Sequence, residues 1–124
     1  MLRIDHQRIN LRAEADAQIL VDIVDNTVDF NEGDGLLLTT RENSESDVRD
    51  ISGTVTKNSF IENGKNGIEV VGRFGVASLF VVGLEGVDPV DSRSRGNSFI
   101  RNDYNGINIR RSGSATIANN NFIE

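Results

Sequence analysis

Cysteine and tryptophan are missing from this chain of 124 residues, and proline, methionine, histidine and tyrosine occur once each. Zero Cys excludes a disulfide framework and a thiolate metal site. A single His, His6, excludes a histidine metal cluster, and its place near the N-terminus reads as solvated rather than catalytic. A formal net charge of −6 disfavours binding to a phosphate backbone, so no nucleic-acid partner is expected. No apolar run is long enough to span a bilayer. The first ten residues, MLRIDHQRIN, lack the basic stretch and apolar core of a signal peptide. No Gly-rich phosphate loop, nucleophile elbow or zinc motif is present.

What the chain does have is Asn and Gly at fixed places. Residues 97–109 read NSFIRNDYNGINI, residues 58–70 read NSFIENGKNGIEV, and residues 26–38 read NTVDFNEGDGLLL. With the opening Asn at position zero, that column holds Asn26, Asn58, Asn97 and Asn120. Position two holds Val28, Phe60, Phe99 and Phe122, and position five holds Asn31, Asn63 and Asn102. Position eight holds Asp34, Asn66 and Asn105, and position nine Gly35, Gly67 and Gly106. Positions ten and twelve are aliphatic throughout. The steps are 32 residues from Asn26 to Asn58, 39 from Asn58 to Asn97 and 23 from Asn97 to Asn120. The shortest is close to one bare turn of a solenoid, and the longer ones carry insertions, which map to loops. The segment Ile9-Asn10-Leu11-Arg12 matches Ile107-Asn108-Ile109-Arg110 but for Leu in place of Ile, so residues 1–18 are a first coil or a cap.

Each position has a physical reading. Alternating aliphatics at ten and twelve make a strand with one face inward. Gly at nine is expected to turn the backbone through positive φ. Stacked Asn residues can link their amides from coil to coil and tolerate the left-handed conformation of corners. Phe at position two is expected to form an interior aromatic column. Gly, Asn and β-branched residues make helix a poor reading; only Leu11 to Ala17, LRAEADA, could give a turn or two. The insertions are residues 40–52, polar and solvated, and 72–94, whose apolar run is expected to add strands against one face.

With this Asn–Phe–Asn–Gly–Ile ladder, residues 19–124 resemble right-handed parallel β-helix proteins of the pectin-lyase-like superfamily. The resemblance implies an all-β solenoid of about four to five coils in a single domain, 1–124. The last copy stops at Glu124, four residues past Asn120, so a segment of a longer protein, or self-association through open ends, is expected. The superfamily contains lyases, hydrolases, epimerases and non-catalytic surface proteins, and its fold does not choose among them.

In the enzymes of that superfamily substrate lies along the outer face of one strand ladder. Here that face comprises Leu37, Thr39, Glu69, Val71, Asn108 and Arg110, with Asn10 and Arg12 if the first coil is real. It holds one carboxylate, whereas glycoside hydrolysis ordinarily uses two, about 5–10 Å apart. Glu69 and Arg110 read as a surface ion pair of little energetic weight before an acid–arginine catalytic pair. Gly86-Val-Asp88-Pro89-Val-Asp91 faintly resembles the Asp-Pro-His-Asp signature of mannuronan epimerases. Val90 occupies the place of its catalytic His, and an Asp-Pro turn is the stronger reading. Asp22, Asp25, Asp29 and Asp34 could offer oxygen ligands to Ca²⁺ but fit no calcium loop, so ordinary surface acidity is preferred and no metal site is assigned. The expectation is a non-catalytic structural or carbohydrate-binding module of an extracellular or surface protein. A polysaccharide lyase or epimerase acting on acidic glycans is the first alternative, and an assembly module the second.

Overall fold

The alternation of inward aliphatics decides the architecture. In a computed structural model the chain is all-β among the described residues, which are 9–14, 18–41, 50–72, 79–82, 96–111, 114–117 and 120–124. Twelve strands run in order: β1 (Ile9–Glu14), β2 (Gln18–Val24), β3 (Thr27–Asp29), β4 (Leu36–Arg41), β5 (Asp50–Thr56), β6 (Ser59–Ile61), β7 (Ile68–Gly72), β8 (Leu79–Val82), β9 (Ser98–Ile100), β10 (Ile107–Arg111), β11 (Ser114–Ile117) and β12 (Asn121–Ile123). They form three four-stranded sheets, β1-β4-β7-β10, β2-β5-β8-β11 and β3-β6-β9-β12. The chain visits these sheets in the same order four times, and every pairing is parallel. Parallel neighbours need a long crossover between them, and here each crossover is the passage through the other two sheets.

The register follows the repeat. Leu36 stands over Ile68 and Ile68 over Ile107, while Leu38, Val70 and Ile109 form the next inward column. Leu36, Leu38, Ile68 and Val70 are fully buried and join Ile23, Val28, Ile51, Val55, Phe60 and Phe99 in one core. Ile9 and Leu11 extend both columns through β1, so the first circuit is real. The Phe rings stack: Phe60 and Phe99 lie 5.2 Å apart, and Phe99 and Phe122 lie 4.9 Å apart, nearly parallel in both cases.

The buried amides hold the circuits together. In the position-zero ladder, Nδ2 of Asn26, Asn58 and Asn97 donates to Oδ1 of the next Asn at 3.1, 3.0 and 2.9 Å. The backbone N–H of each also donates to that same oxygen. At position five, Asn31 donates to Asn63 and Asn63 to Asn102, both at 2.8 Å. At position eight the direction reverses: Asn66 donates to Asp34 at 2.8 Å and Asn105 to Asn66 at 3.0 Å.

Several expectations need correction. Gly35, Gly67 and Gly106 are not in the positive-φ region, where the one glycine among the described residues is Gly53, at 146°. These position-nine glycines are instead needed for close approach. A Cβ on Gly67 would meet Phe99 Cδ1 and the Gly106 carbonyl at 2.7 Å, and one on Gly35 would meet the Gly67 carbonyl at 2.8 Å. The ladder Asn residues are not left-handed either. The residue before them is: Asp25, Phe30, Lys57, Glu62 and Arg101 have φ between 46° and 60°. At three of these five corners the amide bridges the strained residue by donating to the carbonyl two positions back: Asn26 Nδ2 to Val24 O at 2.9 Å, Asn31 Nδ2 to Asp29 O at 3.4 Å and Asn58 Nδ2 to Thr56 O at 2.9 Å. The stretch from Leu11 is strand rather than helix as far as Glu14, because β1 pairs with β4; residues 15–17 lie outside the described residues. Of the polar insertion, Thr40 and Arg41 belong to β4, and 50–52 to β5, leaving 42–49 outside the description. Within 72–94, residues 79–82 are a rung of the second sheet, between β5 and β11, and not an added layer. Nearly all the remainder, 73–78 and 83–94, lies outside the described residues.

Replacing Asn63 by Ala strips partners from Asn31, Asn102 and the Val28 carbonyl. It is expected to cost about 3 kcal/mol in urea unfolding, against about 1 kcal/mol for Asn26→Ala at the exposed end of its ladder. Equal losses would refute the ladder as the source of stability. Gly67→Ala is expected to lose about 1–3 kcal/mol through overpacking. Gly106→Ala should lose less, because its obstacle, Phe122, is half exposed and can swing aside.

Candidate functional site

Side chains at positions eleven and thirteen alternate with the buried aliphatics and therefore stand on the outer face of the first sheet. Pairing aligns them as two columns: Asn10, Leu37, Glu69 and Asn108 in one, Arg12, Thr39, Val71 and Arg110 in the other. The register thus assembles on one face every residue that the sequence placed on the ligand-facing ladder.

The face is not uniformly open. Asn10, Arg12 and Arg110 are exposed, and Leu37, Thr39 and Asn108 are half-buried. Glu69 and Val71, at its centre, are only 8% and 6% exposed although they point outward. Arg110 Nε donates to Glu69 Oε1 at 2.7 Å, and Asn108 Nδ2 donates to the same oxygen at 3.2 Å. The Arg110 side chain is 52% exposed, so one partner of this pair sits in water and the other largely out of it.

This geometry bears on the chemistry. Glu69 is the sole carboxylate among the outward residues of the two columns, and its Oε1 is already occupied by two donors. A general base needs a free lone pair within reach of substrate, and hydrolysis needs a second carboxyl group. Asp88, Asp91 and His6 lie outside the described residues. The four acids considered for Ca²⁺ are dispersed. Asp22 accepts from Thr54 Oγ1 at 2.6 Å on the second sheet, while Asp34 is buried and accepts from Asn66. Asp25 forms a corner, and Asp29 ends β3. Among the described residues no three His, Cys, Asp or Glu side chains gather as a metal site.

Two further features lie outside the outward ladder. Arg101 Nε donates to Glu62 Oε1 at 3.0 Å, a cross-circuit pair at the corners after β6 and β9. Opposite charges at position four of successive copies were the available signal. The second feature is a concavity of about 740 Å³ beneath the last circuit, bordered by Phe99, Tyr104, Gly106, Ile107, Ile117 and Phe122. The outer ring of the Phe column, Phe122, is 54% exposed there, beside the exposed Ile117 and Ile123. Among the described residues no helix is long and apolar enough to cross a membrane.

No family model, curated protein or solved structure matches this chain.

Because Arg110 is half in water, Arg110→Ala is expected to cost less than about 1 kcal/mol in thermal or urea unfolding. A loss of about 3 kcal/mol or more would mean that Glu69 behaves as a buried charge dependent on this partner.

Proposed function

We infer that the chain is a right-handed parallel β-helix module of the pectin-lyase-like type, non-catalytic, serving a structural or carbohydrate-binding role in an extracellular or surface protein. Support for the solenoid is the repeated passage through three parallel sheets in fixed order, together with the strong preference of parallel crossovers for the right hand. The observation that carries the functional reading is the state of Glu69. The one carboxylate of the outward ladder is largely out of water and bonded to Arg110 and Asn108, so among the described residues the face offers no free acid and base pair of the kind that cleavage of a glycan requires. What remains is a regular, polar and aliphatic surface, Leu37, Thr39, Asn108 and Arg110 with Asn10 and Arg12, whose spacing of about 4.8 Å per strand can follow an extended chain of sugars.

An assembly role is a second reading, favoured by the apolar end formed by Ile117, Phe122 and Ile123. Exposed apolar surface of this kind marks an interface, and unpaired strand edges are templates for further strands.

Incubation with a panel of acidic and neutral polysaccharides, with and without Ca²⁺, separates the readings. Saturable binding without product, weakened by Arg110→Ala, is the expected result. Release of unsaturated or reducing-end products that Glu69→Gln abolishes would replace the scaffold reading with an enzymatic one. Neither binding nor product, with a solution mass above that of one chain, would move the assembly reading ahead.

A further inference from the structure

Phe60, Phe99 and Phe122 form the interior ring column. Two other rings, Phe30 and Tyr104, stand outside it and are 43% and 69% exposed. Both belong to the corner that leads from the third sheet into the first, formed by residues 30–35, 62–67 and 101–106. The repeat asks for neither ring. Position four holds Glu62 and Arg101 in the other copies, and position seven holds Gly33 and Lys65. The corner therefore forms with an acid, a base or no side chain at these places, and a ring held in water adds nothing to the core. Nor does the exposure of position seven come from a missing neighbour. Lys65 is exposed too, although its backbone is bonded to Gly33 on one side and to Tyr104 on the other.

The corner holds both rings on fixed backbone. Asp103 N donates to Asn63 O at 2.9 Å and Tyr104 N to Lys65 O at 3.0 Å. Asn102 and Asn105, on either side, are tied by amide bonds to Asn63, the Phe60 carbonyl and Asn66. Phe30 N donates to Ile61 O at 3.0 Å, and the following Asn31 donates to Asn63. Rings on such a frame lose little freedom when a ligand meets them.

Between the two rings, on the second copy, stand charged groups. Glu62 accepts from Arg101 Nε at 3.0 Å, and Lys65 is exposed with no ion-pair partner among the described residues. Aromatic faces beside polar heads suit a ligand with apolar C–H faces and a rim of hydroxyls, which describes a pyranose ring. Phe30 and Tyr104 belong to copies two rungs apart, which is about 10 Å along the stack. At one sugar per rung, the two platforms meet every second ring of a chain. In β-linked chains of the cellulose type, alternate rings turn the same face, so every second ring offers the same C–H surface. The net charge of −6 weighs against a polyanion.

We propose that this corner is a stacking edge for a neutral β-linked polysaccharide of the cellulose type. Phe30 and Tyr104 are its platforms, and Lys65 and the Glu62–Arg101 pair bond the hydroxyls between them. The inference rests on the carbohydrate-binding reading and gives it a ligand class. Each copy of the corner runs directly into β4, β7 or β10, so a bound chain of sugars borders the outward ladder as well.

Tyr104 is the only tyrosine and the chain has no tryptophan, so tyrosine fluorescence reports this site alone. The test titrates the chain with cello- and manno-oligosaccharides, and with oligogalacturonates as the acidic comparison, reading fluorescence and calorimetric affinity. A saturable fluorescence change with the neutral sugars is the expected result. Tyr104→Ala should weaken binding at least about tenfold, whereas Tyr104→Phe, which keeps the ring, should stay within about twofold of the parent. Phe30→Asn removes the other ring with a residue suited to the left-handed backbone there, and should weaken binding about fivefold. Melting temperatures close to the parent's establish that these variants fold. Undiminished binding by the Tyr104→Ala, Phe30→Asn double variant would overturn the proposal and leave the carbohydrate-binding reading standing, as would a preference for oligogalacturonates. Absence of binding to every saccharide would overturn both.

Discussion

The stacking of asparagine amides along the sheet-stacking direction is the constraint on which the rest of this structure depends. A buried primary amide without partners costs roughly 1–3 kcal/mol, while one that is fully bonded yields a modest net gain. Asn58, Asn63 and Asn97 are all within 1% of complete burial, so each must find another hydrogen-bonding group at the same height in the neighbouring circuit. That requirement fixes register more strictly than the aliphatic columns can. Leu, Ile and Val tolerate a sideways shift of a fraction of an ångström, but a one-residue slip would turn each strand's inward face outward and leave the amides unpaired. The same amides secure the corners. The strained residues Asp25, Phe30 and Lys57 are each spanned by a bond from the following Asn side chain to the carbonyl behind them, so one residue type serves both the turn and the stack there.

Position nine is linked to position two by volume rather than by conformation. The glycine of one circuit leaves the space that the Phe ring of the next circuit occupies, with would-be Cβ contacts under 3 Å at both Gly67 and Gly106. The ring column and the glycine column are therefore one packing device, and a substitution in either is felt in the other. Dense interiors behave in this way because there is no free volume to absorb an added methyl group.

The ladders are also polar. At positions zero and five each Asn-to-Asn bond runs toward the last circuit, so the side-chain acceptor left over belongs to the first. Asn31 Oδ1 shows this: it is buried and is the one described side-chain atom in that condition without a hydrogen bond. At position eight the direction reverses, and its leftover acceptor is Asn105 Oδ1. The first and last described circuits are thus chemically distinct: the first leaves Asn31 Oδ1 without a donor, and the last carries the exposed Ile117, Phe122 and Ile123.

The repeat spacing alone carried the all-β class, the inward columns at positions ten and twelve, the Asn ladders and the set of residues sharing the outward face. It carried them because a parallel stack reproduces the same local environment at every rung, so chemical identity along the sequence becomes alignment in space. Tertiary structure decided the rest. The burial of Glu69 and its two donors depends on what stands beside it across circuits, a relation invisible along one strand. The role of the glycines depended on ring proximity, which identical spacing would equally have allowed to be a turn. The two stretches read as insertions proved to share residues with the second sheet, since irregular linker lengths hide the rungs within them.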